Sequence, residues 1–174
     1  MTVNPIKKLQ FKKAWLDKLY YYYGRQLCDY ELCSLKKEGG KIIASKWIKY
    51  SKLCFPIDID DFEKLMKLEK YNNRTILPNE VVLDLEDKKS LPSVKEKLRK
   101  LKWDNMIFFS GSRGYHVHIF FPEKISTKVK QKIIDFFGAD KMKAYERSMI
   151  ALEFAPHWKT GMEKELREVN YYDF

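Results

Sequence analysis

The sequence predicts an α+β fold: an N-terminal α/β extension over residues 1–80, then a β-α-β-β-α-β core over residues 81–161, all within one domain spanning 1–174. Three observations carry this. Short apolar, β-branched or aromatic runs recur at Val81–Glu86, Met106–Phe109, Tyr115–Phe121 and Ser148–Phe154, and read as strands. Two intervening segments carry helical spacing instead, Ser93–Lys102 with Val94, Leu98 and Leu101 at i, i+4 and i+7, and the stretch after Ser126. Their order along the chain is the ferredoxin-like or RRM-like plan.

The extension opens with Asn4-Pro5, an N-cap and first helical position. A helix bearing Ile6, Leu9, Phe11, Trp15, Leu16 and Leu19 follows, runs into Tyr20–Tyr23 and stops at Gly24. Gly39-Gly40 is a turn, Lys41–Tyr50 a strand and Asp60–Tyr71 a helix. In the core, Ser126 caps a helix bearing Val129, Ile133, Phe136 and Phe137, and Gly138 ends it. The plan places the first core strand centrally, between the third and the fourth, so that side chains of those three strands converge on one face.

An apolar content of 45% with 15% aromatic residues marks a globular chain that buries a core. No run approaches the ~18 apolar residues of a membrane helix. The N-terminus MTVNPIKKLQFKK has no signal-peptide core, which points to a cytoplasmic, nucleoid-associated protein. A formal charge of +10 favours a polyanion such as DNA, RNA or nucleotides. Cys28, Cys33 and Cys54 are odd in number, which argues against a disulfide framework. Cys28 and Cys33 have the spacing of half a zinc site, but no second half follows, and buried or free thiols are the simpler reading.

The chemistry gathers in the core. In VVLDLED, strand alternation puts Asp84 and Glu86 on one face and Leu83 and Leu85 on the other. Two neighbouring carboxylates repel each other and lose hydration, and a divalent cation offsets both penalties. The alternative is an acidic strand end in solvent, continued by Asp87-Lys88-Lys89. In FFSGSRGYHVHIFF, His116, His118 and Phe120 share a strand face. The loop before them offers the Ser110 and Ser112 hydroxyls, backbone N–H groups at Gly111 and Gly114, and the Arg113 guanidinium, a set suited to a triphosphate. A plain hairpin with two exposed histidines is the alternative. PHWKTG places His157 and Lys159 directly after the fourth strand, within reach of the same nucleotide, unless it is only a basic surface turn.

With these residues in hand, the chain resembles the catalytic (small) subunit of the archaeo-eukaryotic DNA primase superfamily, in a minimal form. Asp84-Leu85-Glu86 stands where the family has Asp-x-Asp, and Ser110–His116 fits S-G-x-R-G-x-H at every specified position. Ala155–Gly161 keeps all but the serine of S-x-H-x-K-T-G. The resemblance covers residues 81–161. It implies template-directed primer synthesis on single-stranded DNA from nucleoside triphosphates, with Mg2+ or Mn2+ held by Asp84, Glu86 and Asp140. Glu153 and Glu146 compete with Asp140 for the third place. It implies phosphate binding by Ser110, Ser112, Arg113 and His116, and nucleotide contacts by His157 and Lys159. Lys49, in Trp47–Tyr50, sits where a family arginine touches the nucleotide.

The departures from the family are Glu86 for the second Asp, His118 for an aromatic, and a short span between the second and third motifs. No four-cysteine iron–sulfur domain is present in this sequence, so a large primase subunit or an iron–sulfur domain on another chain is the expected partner. The lysine-rich helix faces, Lys95–Lys102 and Lys124–Lys132, are template contacts or plain solvated surface. Other classes stay open: a primase-polymerase or an end-joining polymerase of the same superfamily, and a non-catalytic single-strand-binding module. The last would show aromatics where this face shows Asp84, Glu86 and His116.

Overall fold

A computed structural model describes residues 29–49 and 70–172. The chain divides into two compact units, Met1–Arg74 and Thr75–Phe174. The helices expected near the N-terminus and over 60–71 lie outside the described residues, apart from Lys70 and Tyr71.

In the first unit, β1 (Glu31–Cys33) runs antiparallel to β4 (Ile48–Lys49), with Leu32 opposite Ile48. Its other edge pairs with the start of β5 (Asn73–Thr75), with Leu32 opposite Arg74. The Arg74 guanidinium lies 4.1 Å from the Tyr30 ring centroid. β2 (Leu35–Glu38) and β3 (Lys41–Ala44) form an exposed hairpin closed by Gly39-Gly40, both at positive φ, as a primed two-residue turn requires. The expected single strand over Lys41–Tyr50 is broken after Ala44. The Ser45 hydroxyl accepts from the Ser34 N–H at 2.8 Å, a local bond that ends the ladder.

The second unit has the expected order: β6 (Glu80–Leu85), α1 (Leu91–Leu101), β7 (Asn105–Phe109), β8 (Tyr115–Phe120), α2 (Thr127–Phe137) and β9 (Met149–Ala151), with an added β10 (Glu165–Asn170). Pro92 in the first turn starts α1, and Lys102 closes it in the left-handed conformation. The Ser126 hydroxyl accepts from Val129 N–H at the start of α2, and Gly138, at φ 72°, ends that helix. Both helices cover one face of the sheet. Val94, Leu98, Ile134 and Phe137 pack on Val81, Leu83, Leu85, Ile107, Val117 and Ile119. The opposite face carries Asp84, His116 and His118.

The strand arrangement corrects the expectation of a central first strand. The hydrogen-bonded order is β10-β7-β8-β6, so among the described residues β6 pairs in this sheet with β8 alone. The fourth core strand is also shorter than expected, Met149–Ala151 instead of Ser148–Phe154, because the chain turns at Glu153-Phe154 and Phe154 takes φ 61°. β10 extends the sheet at its far end. A register shift between Leu166 and Glu168 breaks the alternation that would have marked it.

Leu98 is 1% exposed in the core, whereas Val129 is 45% exposed. Urea unfolding should show Leu98→Ala losing about 2–5 kcal/mol of stability. Val129→Ala should stay within about 0.5 kcal/mol of the wild type.

Candidate functional site

Pairing of β6 with β8 sets Asp84 directly opposite His116. His116 Nε2 lies 3.6 Å from Asp84 Oδ1, and Lys143 Nζ lies 3.5 Å from Oδ2. Lys143 is held there by donating to the Met149 carbonyl at 3.1 Å. Burial raises the Asp84 carboxyl pKa, the Lys143 ammonium pulls it back, and the Asp140 charge pushes it further up. Burial holds the His116 imidazole well below its ordinary value, helped by the Lys164 charge. It is therefore neutral, and its Nδ1 finds no hydrogen-bond partner among the described residues. Glu86 falls just past the strand end. Its exposed carboxylate meets Arg113 Nη2 at 3.4 Å, a solvent-screened pair worth little.

The Ser110–Gly114 loop lies flat on the end of β6. Gly114 has φ 112°, and a methyl group there would run into the Leu85 carbonyl oxygen. The loop is closed by Ser110 N–H donating to Gly114 O at 3.1 Å and Ser112 N–H donating to Ser110 Oγ at 3.3 Å. Its other side packs on the late segment. A methyl group on Gly111 would sit 2.9 Å from His157 Cβ, and the Thr160 hydroxyl donates to Gly111 O. The fold thus brings the carboxylate strand, the Ser-Gly loop and the His157–Gly161 segment together.

His157 N–H donates to Met162 O at 2.8 Å, and its Nδ1 accepts from Lys159 N–H at 3.2 Å, which leaves Nε2 as the ring N–H. Burial, with Lys159 adding to it, lowers its pKa. Its ring stacks on Trp158 at 6.1 Å, and Lys159 Nζ lies 5.0 Å from the Trp158 centroid. Lys49 is exposed in the first unit, on β4.

Of the three acidic candidates near the late histidine, Asp140 caps a 3-10 turn over Lys141–Ala144 by accepting from Met142 N–H at 3.0 Å. Its charge acts on Asp84. Glu146 is exposed. Glu153 is fully buried and bonded to Lys164 at 2.6 Å, so it is committed to an internal pair. Among the described residues, no group of three or more His, Cys, Asp or Glu side chains is arranged to hold a metal ion. The carboxylates of Asp84 and Asp140 nevertheless fit a hard divalent cation in kind, and Lys143 supplies the positive charge beside Asp84. Burial pushes the Cys33 thiol up to about 11, which disfavours the thiolate a zinc site needs. Cys28 and Cys54 lie outside the described residues.

Sequence reasoning missed Lys143, Glu80 and Lys164, and read His118 as a face-mate of His116 and a departure from a family aromatic, with no role of its own. Glu80, His118, Glu153 and Lys164 form a fully buried network. The second histidine of the strand YHVHIF was the one available signal. Neither lysine falls in a motif.

The fold is shared with two solved structures. The first is the polymerase domain from Mycobacterium tuberculosis Ligase D in complex with DNA, with a TM-score of 0.66 at 9% identity over 95% of this chain and 81% of that one. The second is the primase RepB', with a TM-score of 0.56 at 12% identity over 95% of this chain and 58% of that one. No protein-family model matches the sequence. No curated protein matches it. Among the described residues, no helix is long and apolar enough to cross a membrane.

Burial lowers the His118 pKa from 6.5 to about 4, against the pull of Glu80 and Glu153 and with the help of Lys164. Between those values the unfolded chain takes up a proton that the native state refuses. Native stability is therefore full above about pH 6.5 and falls as pH drops towards 4. His116 acts in the same direction, whereas Asp84, with its raised pKa, opposes it on the acid side. Unfolding free energies from urea titrations at pH 7.5 and 5 should differ by on the order of 1–2 kcal/mol, with the lower pH less stable. Separately, Gly114→Ala should displace the loop, read as altered amide shifts for Leu85 and Glu86.

Proposed function

We propose that this chain is a template-directed nucleotidyltransferase of the archaeo-eukaryotic primase superfamily and serves as the catalytic subunit of a DNA primase. One observation carries the reading: the Ser110–Gly114 loop is wedged between the Asp84 strand end and the His157 segment, with His116 facing Asp84. The shared fold with a primase and with a polymerase domain supports it.

In this reading, Arg113, the Ser110 and Ser112 groups, the backbone N–H groups of the loop and His116 bind the triphosphate. His116, buried and neutral, turns Nε2 and not its enclosed Nδ1 towards Asp84, and that ring edge is the one a phosphate oxygen would meet. His157 contacts the nucleotide through its Nε2–H, with Lys159 beside it. Asp84, Asp140 and Glu86 would hold Mg2+ or Mn2+, and such an ion, when bound, neutralises charge on the triphosphate and activates the attacking hydroxyl. Lys143 keeps the Asp84 charge compensated. The reaction is in-line attack of a 3′ hydroxyl on the α-phosphate with release of pyrophosphate. The chain contributes positioning and charge. Single-stranded DNA is the template, and a large subunit or an iron–sulfur domain on another chain assists initiation.

A second reading is a primer-extending or end-joining polymerase with the same site. It is favoured by the broader match to the Ligase D polymerase domain, 81% of that chain against 58% of the primase RepB'.

The test is nucleotide incorporation on unprimed and primed single-stranded DNA with Mg2+ or Mn2+. Product on the unprimed template identifies a primase, and product on the primed one alone identifies the second reading. Asp84→Ala and His116→Ala should each lower the rate by about a hundredfold or more while circular dichroism stays native. Retained synthesis in Asp84→Ala would overturn the role given to that carboxylate.

A further inference from the structure

The buried network is not used by the chemistry above. Lys164 is 0% exposed, and its ammonium makes three hydrogen bonds: to His118 Nε2 at 2.9 Å, Ala151 O at 2.8 Å and Glu153 Oε1 at 2.6 Å. An ammonium only donates, so Nε2 of His118 is an acceptor and Nδ1 carries the proton. That proton goes to Glu80 Oε1 at 2.7 Å, and Glu80 Oε2 accepts from Leu77 N–H at 3.0 Å. One continuous chain of bonds therefore runs from the start of β6, across β8, to the residues that bracket the late loop.

That loop is a two-armed structure. Phe154 N–H donates to Lys164 O at 2.9 Å, Lys164 N–H to Ala155 O at 3.1 Å, and His157 N–H to Met162 O at 2.8 Å. Glu153 and Lys164 stand at its base and His157 near its tip. Phe154 holds φ 61°, a conformation that bulky side chains rarely adopt and that persists where neighbouring structure enforces it. Its ring packs edge-on against Phe108, which also contacts His118. A buried ion pair is seldom more stabilising than apolar packing of the same volume, so its presence here is better explained by the geometry it imposes.

We propose that Lys164 is a positioning residue: by bonding His118 and Glu153 together it ties the loop carrying His157 to the strand carrying His116, and so sets the spacing of those two histidines on the nucleotide. The ligand named rests on the function proposed above, but the geometry does not.

The chain has only three histidines, His116, His118 and His157, so nitrogen-15 histidine labelling reads every relevant ring. In the wild type, His118 should be neutral and protonated at Nδ1, and an Nε2–H tautomer would overturn the proposal. In Lys164→Met, at a temperature where circular dichroism is native, the His157 and His116 signals should both move. Lys164→Met/Glu153→Gln removes the buried carboxylate charge with its partner and serves where the single variant does not fold. Its His157 and His116 signals should stay displaced. Their return to wild-type positions would mean that Lys164 merely neutralises Glu153, and the proposal would fail. In synthesis assays the variants should raise the nucleotide KM about tenfold with kcat within about threefold. Lowered stability with unchanged KM and unchanged His157 signals would equally overturn it. A wild type that incorporates no nucleotide removes the functional reading, while the histidine signals still decide the positioning role.

Discussion

The antiparallel pairing of β6 with β8 is the constraint on which the site depends. It places Asp84 opposite His116 and Leu85 opposite Tyr115. Because strand side chains alternate, a slip of one residue would turn Asp84 into the helix-covered core and Leu85 out of it. The core on the other face therefore enforces the register: Val81, Leu83 and Leu85 must meet Val94, Leu98 and Ile134. The hydrophobic side of the sheet thus holds the polar side in place. The Gly114 contact extends this by one step, since only a residue without Cβ lets the loop lie against the Leu85 carbonyl at the point where β6 ends.

The polar side is a problem in electrostatics. Burying Asp84, His116, His118, Glu80, Glu153 and Lys164 around one sheet face is costly unless each charge meets a partner and each dipole a hydrogen bond. The deep part solves this internally, with Lys164 serving His118 and Glu153 while Glu80 serves His118 and Leu77. The shallow part is less complete. Asp84 has Lys143 and His116 nearby at longer range, and His116 keeps an orphan ring nitrogen. The deep groups, with their bonds made, form a structural network, whereas the looser contacts around Asp84 suit the ligand role proposed for it.

Most of the architecture was legible in the sequence. Periodicity marked β6, α1, β7, β8 and α2, and Ser126 and Gly138 behave as the caps their chemistry implies. The elements that misled were those whose local signal disagrees with their surroundings. β10 is half charged, and its bulge interrupts the period-two pattern. β9 stops after three residues because the chain turns at Phe154, a residue with no turn propensity of its own. The central place expected for β6 came from a topology rule, and the paired strands put β10 on the opposite end of the sheet instead.

At the site, the sequence by itself determined which motifs stand on which strands and loops, because side-chain alternation, glycine spacing and residue chemistry are local properties. It placed Asp84 and His116 on the same side of two strands, and it singled out the Ser110–Gly114 loop and the His157 segment. Only the tertiary structure decided what each acidic residue does. Glu153 was a plausible ligand by position, yet the fold buries it against Lys164. Asp140, four residues before Ala144 on an exposed turn, acts on Asp84 through space. Lys143 and Lys164 look like any other lysines of a chain carrying a charge of +10. Their roles arise from partners distant in sequence, and burial and charge pairing between such segments leave no mark in local composition.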